Sequence, residues 1–268
     1  MAESTFDRAR FAARLATRRL GQTLLLRGET ASTNDDAWDA GASGARDGTL
    51  VIADHQTQGR GRSGRAWVDA PGAGLAMSLL LHPGCDAAAF ATTPLVAGLA
   101  LSRALDGLGV DAELKWPNDL LLGGRKLAGM LCESRRRPNG TQAFVLGVGV
   151  NVWQRAEDFP PELREEATSL ALSGHELDRE TVAAAFVNAL EPLWDEHQEG
   201  DALAALKAWR ARARFWGKPV VVRGPQGWIH GDAMSLADDG ALVVRTAAGE
   251  EVRVLAGDVQ HVPSGGMQ

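Results

Sequence analysis

The chain has 268 residues, of which 45% are hydrophobic, so it can bury one large core and a second, smaller one. A net charge of −6 argues against a dedicated nucleic-acid binder, and no run of about 18 apolar residues predicts a membrane helix. The N-terminus lacks the apolar core of a signal peptide, so we expect a cytoplasmic protein. The two cysteines, Cys85 and Cys132, suit small buried hydrophobes better than metal ligands or a disulfide.

Most of the chain predicts helices and strands that build a mixed sheet. Residues 6–20 suit a short amphipathic helix, and Ser32 suits the cap of a helix that ends at Gly41 in the left-handed conformation. The polar, proline-bearing segment from Glu157 to Glu166 reads as a surface loop. Strands are predicted at 23–27, 49–53, 74–81, 113–116, 120–122, 128–133 and 143–152, and further helices at 87–108, 178–196 and 202–215.

The composition changes near residue 217. From Lys218 to Val262 the chain consists of short valine-rich runs separated by glycine-containing turns, a spacing typical of a small β-barrel. Its apolar strands, such as 220–222 and 242–244, predict a private core. We therefore expect two domains, residues 1–216 and residues 217–268.

A glycine–arginine segment follows the predicted strand at 49–53. Glycine lets backbone approach a ligand closely, while arginine supplies fixed charge and forked donors for phosphate or carboxylate. Like charges repel and glycine costs entropy, so we expect this loop to order itself when it closes over an anion. A solvated basic loop without function is the alternative. The segment is Gln56-Thr57-Gln58-Gly59-Arg60-Gly61-Arg62-Ser63-Gly64-Arg65-Ala66-Trp67.

The same letters satisfy the G-x-G-x-x-G pattern of dinucleotide-binding folds. That interpretation requires a glycine turn at the strand end and a helix immediately after it. Here the polar residues 55–58 intervene and residues 65–72 do not begin a helix, so the dinucleotide interpretation is disfavoured. No P-loop pattern occurs in the sequence.

A second cluster, residues 115–119, precedes apolar runs on either side of Gly123 and Gly124, which predicts a β-hairpin. Lys126 would lie near the start of the returning strand, and by itself it could be an unremarkable hairpin lysine. In the last strand, Gly147 and Gly149 would weaken the sheet unless something approaches the backbone closely.

Together these motifs resemble the biotin protein ligase family over about residues 28–260. The likeness rests on the two clusters, on Ser32-Thr33-Asn34 before them and on residues 147–151 after them. It implies an α+β fold in which a catalytic domain like that of class II aminoacyl-tRNA synthetases, with a mixed sheet and helices, precedes an SH3-like barrel. It also implies ATP-dependent ligation of biotin, through biotinyl-5′-AMP, to a lysine of a biotin carboxyl carrier protein of acetyl-CoA carboxylase or another biotin-acceptor domain. Mg²⁺ is expected to come with the ATP phosphates, and no metal ligand is assigned.

The resemblance also assigns site residues. The catalytic candidates are Lys126 and Arg62. Those for biotin are Ser32, Thr33, Asn34, Gln56, Gly59, Arg60, Gly61, Arg62, Lys126 and Gly129, and those for ATP and the adenylate are Arg60, Arg62, Arg65, Trp67, Asn118, Lys126 and Asn151. Asp119 is either a partner of these groups or a turn former, and either Trp67 or Trp116 could stack on a ligand ring, although core packing is the default.

Three competing expectations remain. Bifunctional relatives carry a winged DNA-binding domain, and the 31 residues before Ser32 are too few for it, so we expect no specific DNA binding. Because the sequence has no apolar run of about 18 residues, we also expect no membrane association. Lipoate ligases run the same chemistry but lack the Lys115-to-Asp119 motif. A nucleic-acid binder that uses the arginine segment is disfavoured by the acidic total charge.

Overall fold

The computed structural model describes residues 4–82, 88–137, 140–199, 202–224 and 227–261. The helices are α1 Arg8–Arg14, α2 Thr33–Ala42, α3 Ala88–Gly107, α4 Arg179–Gln198 and α5 Leu203–Arg212. The strands are β1 Leu24–Thr30, β2 Leu50–Gln56, β3 Gly74–Leu81, β4 Glu113–Lys115, β5 Asp119–Leu122, β6 Arg125–Arg136, β7 Gln142–Asn151, β8 Pro219–Gly224, β9 Gly227–Leu236, β10 Leu242–Thr246, β11 Glu251–Val254 and β12 Asp258–His261.

Seven strands form one sheet in the order β1-β2-β3-β7-β6-β5-β4. The pair β1–β2 is parallel and the other pairs are antiparallel, so the predicted mixed sheet is confirmed. Successive strand residues point to opposite faces. Val51 and Val145 pack with Trp38 of α2 on one face, whereas Ile52 and Phe144 belong to the large core on the other face. Helices α3 and α4 lie against that second face.

The hairpin between β5 and β6 also forms as predicted. Gly123 and Gly124 both have positive φ, at 58° and 77°, which suits a two-residue turn between antiparallel strands. Lys126 is the second residue of the returning strand.

Polar side chains explain where two of the helices begin. Asp7 and Asp178 precede α1 and α4, and each carboxylate accepts a backbone N–H of the first turn. Ser32 holds the same position before α2 with an extended backbone, yet its side chain makes no capping hydrogen bond. Its hydroxyl is therefore not used to begin the helix.

The predicted end of α2 at Gly41 is wrong. The helix runs on to Ala42, and the left-handed residue is Gly44, with φ of 85°. A Cβ on Gly41 would lie 3.1 Å from Leu80, so this glycine allows close packing of α2 on β3 rather than ending the helix.

The prediction of a surface loop at residues 157–166 is confirmed, because most of these residues are exposed. The segment contains two short 3-10 helices, Ala156–Asp158 and Pro161–Leu163, and buries Phe159. The backbone N–H of Lys126 donates to the carbonyl of Glu166 at 2.7 Å, and the carbonyl of Lys126 accepts from Thr168 at 2.9 Å. The polar composition concealed an apolar side that packs beside the start of β6.

The C-terminal strands form a separate antiparallel sheet in the order β11-β10-β9-β8-β12. The predicted turn at Pro225 and Gln226 and the last predicted barrel residue, Val262, lie outside the described residues. Buried side chains of this sheet, such as Val222 and Val244, belong to the same contiguous core as the helices. The prediction of a private core is therefore wrong.

One turn of the C-terminal sheet makes a close contact with the rest of the chain. The indole N–H of Trp116, a buried residue, donates to the carbonyl of Gly240 at 3.0 Å. Gly240 has φ of 83°, and a Cβ there would lie 2.8 Å from Leu95 of α3. Trp116 therefore has a packing role, which was the default interpretation of this residue from the sequence.

Cys132 lies on β6 against the main core, and burial raises the pKa of its thiol. The expectation of a small buried hydrophobe fits this residue, whereas Cys85 lies outside the described residues. Within the described ranges, no helix is both long and apolar enough to cross a membrane.

A matched pair of glycine substitutions tests the contact between the C-terminal turn and α3. Gly240 and Gly249 both have φ of 83°, but a Cβ on Gly249 would meet nothing within 4 Å. Gly249→Ala should cost about 1–2 kcal/mol because of the left-handed backbone alone. Gly240→Ala adds a clash and should cost about 1–3 kcal/mol more. Equal losses in chemical denaturation would contradict this packing.

Candidate active site

A cavity of about 750 Å³ opens on the α2 face of the large sheet. Its floor consists of glycines on neighbouring strands, and β6 and β7 pair Gly129 with Gly149. All of the candidate site residues except Gly59 line it, together with residues that were not predicted. Among the latter are Met77, Phe159, Leu163, Glu165 and Glu166. Lys115, Asp119 and Leu131, which belong to the predicted clusters, line it as well.

The glycines of β7 allow two side chains to lie directly on the backbone. A Cβ on Gly147 would come 2.4 Å from Oδ1 of Asn34, and a Cβ on Gly149 would come 2.4 Å from the ring of Trp67. Real Cβ atoms do not approach other atoms so closely, so both positions require glycine. The predicted close approach is confirmed, and the approaching groups belong to the chain itself.

A hydrogen-bonded cluster forms the polar end of the cavity. The backbone N–H and hydroxyl of Thr33 donate to Oε1 of Gln56 at 2.9 and 3.0 Å. The hydroxyl of Ser78 lies 2.7 Å from Oγ1 of Thr33 and 2.6 Å from Oδ1 of Asn34. The amide nitrogen of Asn34 is buried and has no partner within the described ranges, so it can donate to a ligand. Ser32, also buried, lies beside this cluster.

The arginine segment folds back on itself over the cavity. The N–H of Trp67 donates to the carbonyl of Gly59 at 2.9 Å, and the N–H of Gly61 donates to the carbonyl of Arg65 at 2.7 Å. A Cβ on Gly59 would lie 2.6 Å from the carbonyl of Trp67. Gly59 therefore allows the hairpin to close. It does not line the cavity.

The arginines of the segment have partners within the chain, and those of Arg60 and Arg62 lie outside the segment. Arg60 makes a forked pair with Asp35 at 2.7 and 2.8 Å and lies 3.3 Å from Glu133. The hydrogen bond from Arg60 lowers the pKa of the Asp35 carboxyl. Arg62 donates to Oδ1 of Asn118 at 3.2 Å and to the carbonyl of Gly257 in the C-terminal part at 3.3 Å. The segment is thus held by acidic groups at one point and by the C-terminal part at another.

Lys126 lies inside the cavity. Its Nζ is 2.9 Å from Oδ1 of Asp119 and 5.8 Å from the centre of the Trp67 ring. A Cβ on Gly129 would lie 3.2 Å from both of the paired atoms, so that glycine makes room for the ion pair. Lys115 lines the same cavity, and burial lowers the pKa of its amine.

The two asparagines of the predicted set are engaged with the chain itself. Asn118 donates to the carbonyl of Met130 at 2.8 Å and accepts from Arg62. Asn151 donates to the carbonyl of Thr168 at 2.9 Å and accepts from Gln154 at 3.2 Å. Both amides therefore fix neighbouring backbone, and both residues also line the cavity.

Asp69, which sequence reasoning missed, follows the arginine segment. Its Oδ2 accepts the backbone N–H of Gln56 at 3.1 Å. Burial raises the pKa of its carboxyl to about 6, and the nearby carboxylate of Asp54 adds to the rise, while His55 and Arg179 oppose it. A lone aspartate in a turn-like sequence carries no signal for such a contact.

The cavity as a whole has apolar walls, a polar end and several cationic side chains. It can therefore hold an apolar ligand that has a polar head and lies beside anionic groups of the same or a second ligand.

Comparisons with known proteins agree on the family. The profile of the biotin/lipoate A/B protein ligase family matches residues 29–151, and that of the biotin protein ligase C terminal domain matches residues 215–262. A biotin–[acetyl-CoA-carboxylase] ligase of Paracoccus denitrificans is 36% identical over 232 residues, which cover 83% of this chain and 94% of that protein. A protein of the same name from Mycobacterium tuberculosis is 37% identical over 243 residues, 87% of each chain.

A solved structure supports the same conclusion. The biotin protein ligase from Aquifex aeolicus in complex with biotin and ATP superposes with a TM-score of 0.77 at 27% identity, and the match covers 90% of this chain and 100% of that one. The fold and cavity define an enzyme-like α+β ligand-binding domain with an added antiparallel sheet. The chain belongs to the biotin protein ligase family.

The pH dependence of stability tests the environment of Asp69. Because its pKa of about 6 exceeds the usual 3.8, folding favours the protonated carboxyl, and this contribution is lost as the pH rises from about 4 through 6. The side chain of Asp69→Asn cannot ionise. The unfolding free energy of this variant should therefore rise relative to that of the wild type by up to about 3 kcal/mol between pH 4 and pH 8. Chemical denaturation at both pH values measures it, and a difference independent of pH contradicts the shift.

Proposed function

We propose that this chain ligates biotin to a lysine of a biotin-acceptor domain, with ATP, through biotinyl-5′-AMP. The observation that carries the proposal is the presence of Lys126 in the same cavity as the polar cluster around Gln56 and the arginine segment. The family membership supports the same reaction. The relatives' names point to a carrier subunit of acetyl-CoA carboxylase as the acceptor.

The polar end of the cavity suits the ureido ring of biotin. A ureido group presents one carbonyl acceptor and two N–H donors, so its site requires both kinds of partner. The free amide nitrogen of Asn34 supplies a donor, and the uncommitted hydroxyl of Ser32 can donate or accept. Oε1 of Gln56 already accepts two hydrogen bonds from Thr33, so Gln56 would offer its amide nitrogen as a donor. The glycine floor and Leu131 leave an apolar slot for the ring and tail.

In the first step, an oxygen of the biotin carboxylate forms a bond to the α-phosphorus of ATP, and the bond to pyrophosphate breaks. Two anions must approach each other, so catalysis depends on positioning and on cations where charge develops. Before the ligands bind, Asp119 keeps Lys126 inside the cavity. When they bind, Lys126 would leave Asp119 and pair with the carboxylate and α-phosphate oxygens.

The arginines would act on the phosphates. Arg62 is held at two points, by Asn118 and by the Gly257 carbonyl, so its guanidinium is oriented before ligand binds. Arg60 would shift from Asp35 toward the adenylate, and Arg65 would lie near the leaving pyrophosphate. Trp67 offers a ring face beside Lys126 for stacking.

In the second step, the amine of an acceptor lysine attacks the acyl carbon of the mixed anhydride, and AMP leaves. The anhydride must be shielded from water until the acceptor arrives. The arginine segment, which lies folded over the cavity, would provide that cover.

Mg²⁺ would come with ATP. Proteins usually hold it through one or two carboxylates and substrate phosphates. Asp119, Glu165 and Glu166 line the cavity, but the described residues contain no group of three metal-binding side chains, so one or two of these carboxylates would share the ion with the phosphates. Bound there, the ion would neutralise phosphate charge.

The finer architecture is also part of the proposal. We infer a catalytic domain of the class II aminoacyl-tRNA synthetase type at residues 1–216 and an SH3-like barrel at residues 217–268. The separate five-stranded antiparallel sheet and the C-terminal family match to residues 215–262 support this division.

Lys126→Ala should reduce biotinyl-adenylate formation at least about 100-fold, because the lysine acts on charge that develops in the transition state. Biotin-dependent exchange of pyrophosphate into ATP measures the step. Lys207→Ala, at an exposed position of α5, is the matched control and should retain full exchange. Near-normal exchange by Lys126→Ala would remove this lysine from catalysis.

Arg62→Gly should release the intermediate early. The change removes the hydrogen bonds from Arg62 to Asn118 and Gly257 and adds backbone freedom, so biotinyl-adenylate should escape and label lysines on bystander proteins. Arg62→Lys keeps the charge without the fork and should leak less. Adenylate off-rates equal to the wild type in both variants would exclude Arg62 from the cover.

A further inference from the structure

The base of the arginine segment is closed by a carboxylate that no part of the proposed chemistry uses. Gln56 is the last residue of β2, and its backbone N–H donates to Asp69 across the whole segment. The contacts from Trp67 to Gly59 and from Gly61 to Arg65 lie farther out along the same hairpin. The Asp69 contact therefore fixes the segment where it leaves the sheet, together with the N–H groups of Thr57 and Gln58, which donate to the carbonyls of Thr30 and Ala31 at 2.9 Å.

We propose that Asp69 is a positioning residue for biotin: it fixes the backbone of Gln56 and thereby holds the Gln56 amide against Thr33. This inference rests on the proposed function. The Gln56 Oε1 accepts both the N–H and the hydroxyl of Thr33, the first residue of α2. A shift of Gln56 thus moves the start of α2, where Ser32 and Asn34 face the cavity. Groups that hold ligand-contacting side chains in place commonly matter as much as the contacts themselves.

The carboxylate has little room to move. A Cβ on Gly74, at the start of β3, would lie 2.7 Å from Oδ1 of Asp69 and 2.8 Å from Nε2 of Gln154. The Oδ1 atom is buried without a hydrogen-bond partner in the described part of the chain. The absence of a side chain at Gly74 therefore leaves a fitted space for the Asp69 side chain.

The charged groups around Asp69 form ion pairs or hydrogen bonds with residues other than Asp69. Asp54 pairs with Arg179 at 2.8 Å, and Arg179 also donates to the hydroxyl of Thr5. His55 lies 3.1 Å from Glu29. Asp69 is thus a buried acceptor committed to the backbone of Gln56, a residue that lines the cavity, and this contact points to a role in the site.

Three variants separate positioning from stability. Asp69→Ala removes the acceptor, and Gly74→Ala pushes the carboxylate from its place without removing it. Both should raise the KM for biotin at least about tenfold in pyrophosphate exchange, with kcat at saturating biotin within about threefold of wild type. Asp69→Asn keeps an acceptor oxygen and should restore KM to within about threefold. Asp39→Ala, at an exposed position on α2, is the control and should leave KM unchanged.

The outcomes divide clearly. If the wild-type protein shows no biotin-dependent exchange, the proposed function fails and this inference fails with it. If the wild type is active and both alanine variants keep its KM, or if Asp69→Asn is as impaired as Asp69→Ala, only the inference is overturned. Should Asp69→Ala fail to fold, as judged by circular dichroism, Gly74→Ala decides in the same way.

Discussion

The site depends on the close packing of side chains against bare backbone on β6 and β7. Gly147 and Gly149 admit Asn34 and Trp67 at distances that no Cβ would allow, and Gly129 leaves room for the pair of Lys126 and Asp119. The weakening that two glycines bring to a strand is thus offset by contacts made on it. A methyl group at any of these three positions would fill the space in which ligand and catalytic groups must meet.

Charge balance is the second constraint. An acidic protein concentrates several cations around one cavity, and three of them are held by carboxylates or carbonyls of the chain: Arg60 by Asp35, Lys126 by Asp119 and Arg62 by Gly257. Under the proposed function, incoming carboxylate and phosphate groups replace some of these partners. Exchange of one anionic partner for another keeps the cations ordered without leaving them unpaired, which lowers the reorganisation needed during the reaction.

The sequence alone predicted the features that depend on local chemistry. The Gly123-Gly124 hairpin, the strand at Gly74–Leu81 and the close approach to the glycines of β7 follow from backbone freedom and side-chain alternation. It did not predict contacts between distant residues, such as Trp116 with Gly240 or Asp69 with Gln56, because these depend on how complete elements pack. The apolar side of residues 156–167 was hidden by polar neighbours, although the spacing of Phe159 and Leu163 was a signal.

The most direct test of the central claim is ATP-dependent transfer of biotin to an acceptor domain. The purified protein is mixed with biotin, ATP, Mg²⁺ and a biotin carboxyl carrier domain, and the intact mass of the carrier is recorded. The account predicts one biotinyl group on one lysine, with no transfer when ATP is omitted or when that lysine is replaced by arginine. A carrier that stays unmodified, while a lipoyl acceptor domain is modified with lipoate under the same conditions, would contradict it.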